Sequence, residues 1–74
     1  MIWIETQKGE LYYCSAIKII QITASQYVMR DQYNDELAEY NSIERALEIK
    51  DRIKDFIRGT ENHNNIFKMP QKFE

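Results

Sequence analysis

With 74 residues, 43% of them hydrophobic, and a formal net charge of −2, the chain has the length of one small domain and lacks the basic excess that generic nucleic-acid binding requires. Domains of this size bury only about 60% of their unfolded surface. The Ile, Tyr and Phe content therefore exceeds what one helix and a few strands readily hide, and homo-oligomerisation is expected. Cys14 is the single cysteine, which excludes an internal disulfide and fits a reducing compartment. No basic segment followed by an apolar run opens the chain and no stretch has membrane-span length, so a cytoplasmic location without membrane association is expected.

Met1 to Glu5 reads as a strand with Ile2 and Ile4 facing one way and Trp3 the other. Gln7-Lys8-Gly9-Glu10 is a tight turn in which Gly9 can supply a positive φ, and Leu11 to Cys14 is the return strand. Ile17 to Ile22 follows as a third apolar run. Its alternation is broken by adjacent Ile19 and Ile20, as a bulge or a strand covered on both faces would require. Thr23 to Gln26 is a polar turn, Tyr27 to Asp31 the next strand, Asn34-Asp35 a further turn, and Glu36 to Tyr40 the last strand before the helix.

That helix is expected over 42–58. Asn41 or Ser42 can cap it, and Glu44 lies in the first turn, where the helix dipole favours an acid. Ile43, Ala46, Leu47, Ile49, Ile53, Phe56 and Ile57 cover roughly half the wheel. An arc of that breadth serves burial against a sheet with some left over for a second contact. Arg58 and then Gly59 make a stop, with Gly59 expected as the C′ residue. The expected fold is α+β, an antiparallel meander of four to five short strands packed against one C-terminal helix. Residues 1–59 form the domain, and 60–74, with Ile66, Phe67, Met69 and Phe73 around Pro70, are a polar tail or docking arm.

The pattern W-I-x-T-Q at Trp3 to Gln7, combined with L-x-x-Y-x-S-x-E-R-A-L-E-I at Leu37 to Ile49, resembles a group of very short, uncharacterised proteins of Firmicutes and their phages. The similarity covers most of residues 1–57. It implies an α+β fold and a link to mobile elements, and it implies no activity and no functional residues.

The residues themselves narrow the chemistry. Glu44, Glu48, Asp51 and Asp55 stripe one helix face among Arg45, Arg52, Lys54 and Arg58, which reads as a solvated face, since a straight helix does not converge the oxygens that calcium requires. Cys14 with His63 lacks a third orienting group for nucleophilic catalysis. No phosphate-loop pattern exists among only two glycines. No enzyme, metal site or cofactor is expected. Lys50 and Lys54 fall at the edge of the buried arc, where a lysine either snorkels or lines a pocket. With Arg58, and with Tyr33 and Trp3 as stacking rings, they are the candidate binding residues for a small anionic, nucleotide-like ligand. Ile43, Leu47, Phe56, Ile57, Ile66 and Phe67 are the candidate interface. Two uses are expected: a non-enzymatic homo-oligomer that sequesters such a ligand, in a phage setting to counter bacterial defence, or an interaction module that docks on a host or phage protein.

Overall fold

A computed structural model describes residues 2–59 and 66–72. The element order is β1 (Ile2–Glu5), β2 (Leu11–Cys14), β3 (Ile17–Thr23), β4 (Gln26–Asp31), β5 (Glu36–Tyr40), α1 (Ile43–Gly59) and β6 (Ile66–Lys68). The α+β class and the helix near the C-terminal end are as expected, and each expected strand lies within about a residue of its place. The strands are not one meander, however. They divide into two three-stranded sheets, ordered β2-β1-β6 and β3-β4-β5.

The division falls between β2 and β3, where only Ser15 and Ala16 intervene. A two-residue hairpin needs positive φ in its turn, hence Gly, Asn or Asp, and neither residue supplies it. The chain therefore passes from one sheet to the other instead of folding back. The β1–β2 link is a true hairpin. Thr6 Oγ1 accepts the amides of Lys8 and Glu10 at 3.3 and 3.1 Å, and Gly9 takes φ 86°. In the β4–β5 link, buried Asp31 accepts the amides of Tyr33 and Asp35 on Oδ1, both at 2.9 Å, while Asn34 holds φ 64°. Asn tolerates that left-handed conformation better than most residues. In β3, the pairing with β4 slips between Gln21 and Thr23, an irregularity just beyond the adjacent isoleucines.

Part of the expected tail is a strand of the same domain. β6 pairs parallel to β1, with Trp3 opposite Ile66 and Glu5 opposite Lys68, and the Met69 amide donates to the Glu5 carbonyl at 3.0 Å. Residues 60–65 and 73–74 lie outside the described residues, and with them His63 and Phe73. Ser42 is the helix cap: its Oγ accepts the Arg45 amide at 3.1 Å. Gly59 is the last helical residue and has no positive φ, so the expected left-handed C′ stop is absent there.

α1 packs on β4 and β5. One core joins both sheets and the helix through Ile2, Ile4, Cys14, Met29, Ala38, Tyr40, Ala46, Ile49, Ile53 and Met69. Burying each large aliphatic side chain contributes about 1.5–3 kcal/mol. Phe56 of α1 meets Phe67 of β6 edge-on at 5.4 Å, which ties the end of the helix to the first sheet.

The sheets are latched by Gln7. Its Oε1 accepts the Glu39 amide at 2.9 Å, and its Nε2 donates to the Glu39 carbonyl at 3.2 Å and the Pro70 carbonyl at 2.9 Å. Tyr40 Oη donates to that same Pro70 carbonyl at 2.7 Å. Only a carboxamide presents an acceptor and two donors in this arrangement. Removing it leaves part-buried backbone groups unpaired, and Gln7→Ala is expected to cost about 2–4 kcal/mol. Gln7→Glu should be equally destabilising near neutral pH, because a carboxylate cannot donate to either carbonyl, with partial recovery as the carboxylate protonates. Urea unfolding of the two variants across pH measures both effects. A Gln7→Glu protein with the wild-type midpoint at neutral pH would refute the latch.

Candidate functional site

Because α1 covers β4 and β5, it leaves β3 largely bare, and an open groove runs between the helix and that strand. Its deeper end is walled by the β2–β3 link, with Cys14, Ala16 and Ile17 on one side and Lys50, Ile53, Lys54 and Ile57 on the other. It encloses about 170 Å³, close to the apolar cavity of about 150 Å³ known to admit a benzene ring. The groove continues past Ile17 and Lys50 into a wider, shallower space of about 620 Å³ lined by Lys18, Ile19, Gln21, Tyr27, Ile43 and Leu47.

The helical wheel explains this. Of the seven apolar residues on the expected arc, Ala46, Ile49 and Ile53 are buried, whereas Ile43, Leu47 and Ile57 remain 36%, 48% and 47% exposed. The second half of the arc is the groove wall.

Two lysines of α1, Lys50 and Lys54, border this apolar channel; Lys18 lines its rim but alternates with Ile17 and Ile19, which sets its side chain on the other face of β3. Lys54 reaches Asp51 only at 3.9 Å, both side chains well exposed, a pairing of little energetic weight. Among the described residues no carboxylate lies within ion-pair distance of Lys50 or Lys18. Neither part of the channel has an acid among its lining residues. The acids of α1 face elsewhere: Glu48 pairs with Arg52 at 2.7 Å and Arg45 at 3.2 Å, and Asp55 approaches Arg58 at 3.8 Å. This is the solvated stripe expected from the sequence. Arg45 is further held over the Tyr40 ring at 5.7 Å.

The candidate binding residues do not converge. Lys50 and Lys54 share the channel, but Arg58 points to solvent beside Asp55, and Tyr33 is 77% exposed at the tip of the β4–β5 turn. Trp3 lies on the outer face of the first sheet, 4.9 Å from Tyr13. The candidate interface divides likewise. Ile43, Leu47 and Ile57 line the channel, while Phe56 and Phe67 are spent on each other and Ile66 stands beside Trp3 on the other sheet. Tyr27 is the aromatic that the channel does contain. The signal for it was its alternation with Met29, which sets both on the helix side of β4.

Cys14 is buried, and its thiol approaches the Tyr12 carbonyl at 3.7 Å. Burial, with Asp31 and Asp35 nearby, pushes it up to about 11. A thiol so shifted is almost wholly protonated at neutral pH, where the thiolate is the reactive form. Tyr12 is raised by Glu10 in the first place, and Glu39 is lowered chiefly by its hydrogen bond from Lys72, at 2.7 Å. Among the described residues no three His, Cys, Asp or Glu side chains gather as a metal site, and no helix is long and apolar enough to cross a membrane. No family model, curated protein or solved structure matches the chain.

Cys14 is therefore expected to resist a thiol-reactive disulfide reagent at pH 8 in the folded protein and to react at once in urea. Its folded pKa lies above the ordinary value near 9, so the stabilisation it contributes is complete below about 9 and is lost as pH climbs through about 11. Replacing Cys14 with Ala should flatten that alkaline decline. Rapid labelling of the native protein, or an unchanged alkaline decline in the Ala variant, would contradict the burial.

Proposed function

We propose that the protein is a non-enzymatic binding protein whose α1–β3 channel takes an anionic ligand with a flat or apolar body. The observation that carries this reading is the pairing of an apolar channel, one end sized for a single ring, with Lys50 and Lys54 at its border and no acid among the lining residues. A water-exposed lysine gains little from such a place, whereas an anion that buries its body in the channel brings its charge to two ammonium donors. Sequestration of a nucleotide-like signal, the use suggested by the resemblance to phage proteins, fits the same chemistry: the phosphate would meet the lysines and the base would lie against Tyr27. Trp3 and Tyr33 take no part in that arrangement.

Anilinonaphthalene sulfonate combines an anionic head with aromatic rings and is the probe of choice. The folded protein should bind it with enhanced fluorescence, and Lys50→Ala and Lys54→Ala should each weaken binding by about tenfold. Both side chains lie at the border of the channel, so thermal unfolding should not move. Neutral phenylnaphthylamine should be insensitive to either change. Equal affinity of wild type and the double variant for the sulfonate would refute the reading. Native mass spectrometry of gently purified protein would then show whether a cellular anion is retained.

A further inference from the structure

Each sheet has two edges, and three of the four edges are short or occupied. β6 has three residues and β2 has four, with the Tyr13 carbonyl and Ser15 amide held by the Gln32 carboxamide, both at 3.1 Å. β5 is engaged by Gln7, whose amide and side chain bond to Leu37 and Glu39. β3 is different. It is the longest strand, with seven residues, and among the described residues no strand lies along its outer side. It has isoleucine on both faces, at Ile17 and Ile19 toward the channel and at Ile20 and Ile22 away from it, and Ile22 is 47% exposed. It contains no proline and one charge, Lys18. Soluble proteins protect such edges with charges, prolines, bulges or covering segments; β3 has only Lys18 and the slip after Gln21, with no proline and no covering strand among the described residues.

We propose that β3 is covered by β3 of a second copy, paired antiparallel about a two-fold axis near Ile20. The strand suits itself. With Ile20 at the axis, Lys18 meets Ile22 of the other copy instead of its own counterpart, so no like charges face each other along the ladder. Seven residues at about 3.3 Å each give a ladder of about 23 Å. The apolar faces of both strands, with exposed Leu47 and Ile43 beside them, add burial to the backbone bonds.

The symmetry has a consequence for the channel. A two-fold that pairs strands antiparallel runs perpendicular to the sheet, so both helices lie on the same face of one continuous six-stranded sheet. Each helix sits over β4 and β5. Across strands about 4.8 Å apart, the helix axes are then about 19 Å apart, whereas helices in contact need about 8–10 Å. The two open channels merge into one trough with Ile17, Ile19 and Gln21 of both copies as its floor and Lys50 of both along its walls. A dimer completes a site that each copy holds as half.

Sedimentation velocity across a range of concentrations, with hydrogen exchange of the β3 amides, tests this. The wild type should be a dimer with β3 protected along both sides. Ile20→Lys sets like charges together at the axis, and Ile22→Lys sets a new cation opposite Lys18. Each should weaken the dimer by about tenfold or more, with the urea midpoint unchanged at protein concentrations too low for the wild type to dimerise. Leu11→Lys on β2 should leave the dimer intact. A monomer at every concentration would overturn the proposal. So would a dimer with exchanging β3 amides, or one abolished by Trp3→Lys but indifferent to Ile22→Lys. The dimer stands on the strand edge and the anion site on the lysines. Sulfonate binding by a monomeric Ile22→Lys protein would therefore separate failure of one from failure of the other.

Discussion

No strand of one sheet pairs with a strand of the other, so beyond the shared core the fold depends on the polar groups that bridge them, chiefly those of Gln7. Its carboxamide reproduces the acceptor and donor of a peptide group and adds a second donor. It pairs with both polar groups of the Glu39 backbone as a neighbouring strand would, and its remaining hydrogen holds Pro70. Each such bond contributes only about 0.5–1.5 kcal/mol net, but losing the shared partner takes it from both polar groups of the Glu39 backbone at once, while the Pro70 carbonyl keeps Tyr40. Gln32 acts in the same way at the opposite junction, between β2 and the β4–β5 turn, though in a more exposed setting where water competes. Two glutamines thus replace the ladder that the chain does not form.

The position of the helix follows from this latch. Gln7 and Tyr40 fix Pro70, Met69 fills the core beside them, and β6 is held to β1. Ser42, two residues after Tyr40, starts α1 from the end of β5, and Phe56 against Phe67 fixes its far end. A helix anchored at β5 and at the first sheet lies over β4 and β5 and cannot also cover β3. The channel and the bare edge are therefore one consequence of how the sheets are joined. The apolar surplus that composition shows is concentrated there and on the outer face of the first sheet, where Leu11, Trp3, Tyr13 and Ile66 stand about half exposed.

What was legible in the sequence was whatever short-range chemistry decides. Alternation set Ile2 and Ile4 inward and Trp3 outward, Gly9 marked a turn, and the i, i+3, i+4 spacing from Ala46 to Phe56 marked the helix. Two strands separated by Ser15 and Ala16 looked like neighbours, because only the absence of a positive-φ residue says otherwise. β6 was not legible. Its three residues, Ile66 to Lys68, carry no period, and they become a strand only because β1 offers an open parallel edge. Of the candidate binding residues, Lys50 and Lys54 line the channel together because their place on the wheel is local information. Trp3, Tyr33 and Arg58 were grouped with them by chemistry alone, and tertiary placement scattered them. The W-I-x-T-Q and L-x-x-Y-x-S patterns contain Thr6, Gln7, Tyr40 and Ser42, and in the structure these four residues hold turn, latch and cap.

The channel and the β3 edge share Ile17, Ile19 and Gln21, so the proposed binding at one would not be energetically silent at the other. Pairing β3 with a second copy brings two sets of lysines to one trough, which costs electrostatic free energy until an anion enters. An anion seated there relieves that repulsion and favours the dimer, and by linkage the dimer must favour the anion by the same factor. The two properties then reinforce each other without any change of fold. A domain of this size has too little core to give up a face to solvent without return. In this one the proposed association and the proposed ligand capture meet on the uncovered face, and the size of their coupling would follow from how closely the lysines of the two copies approach.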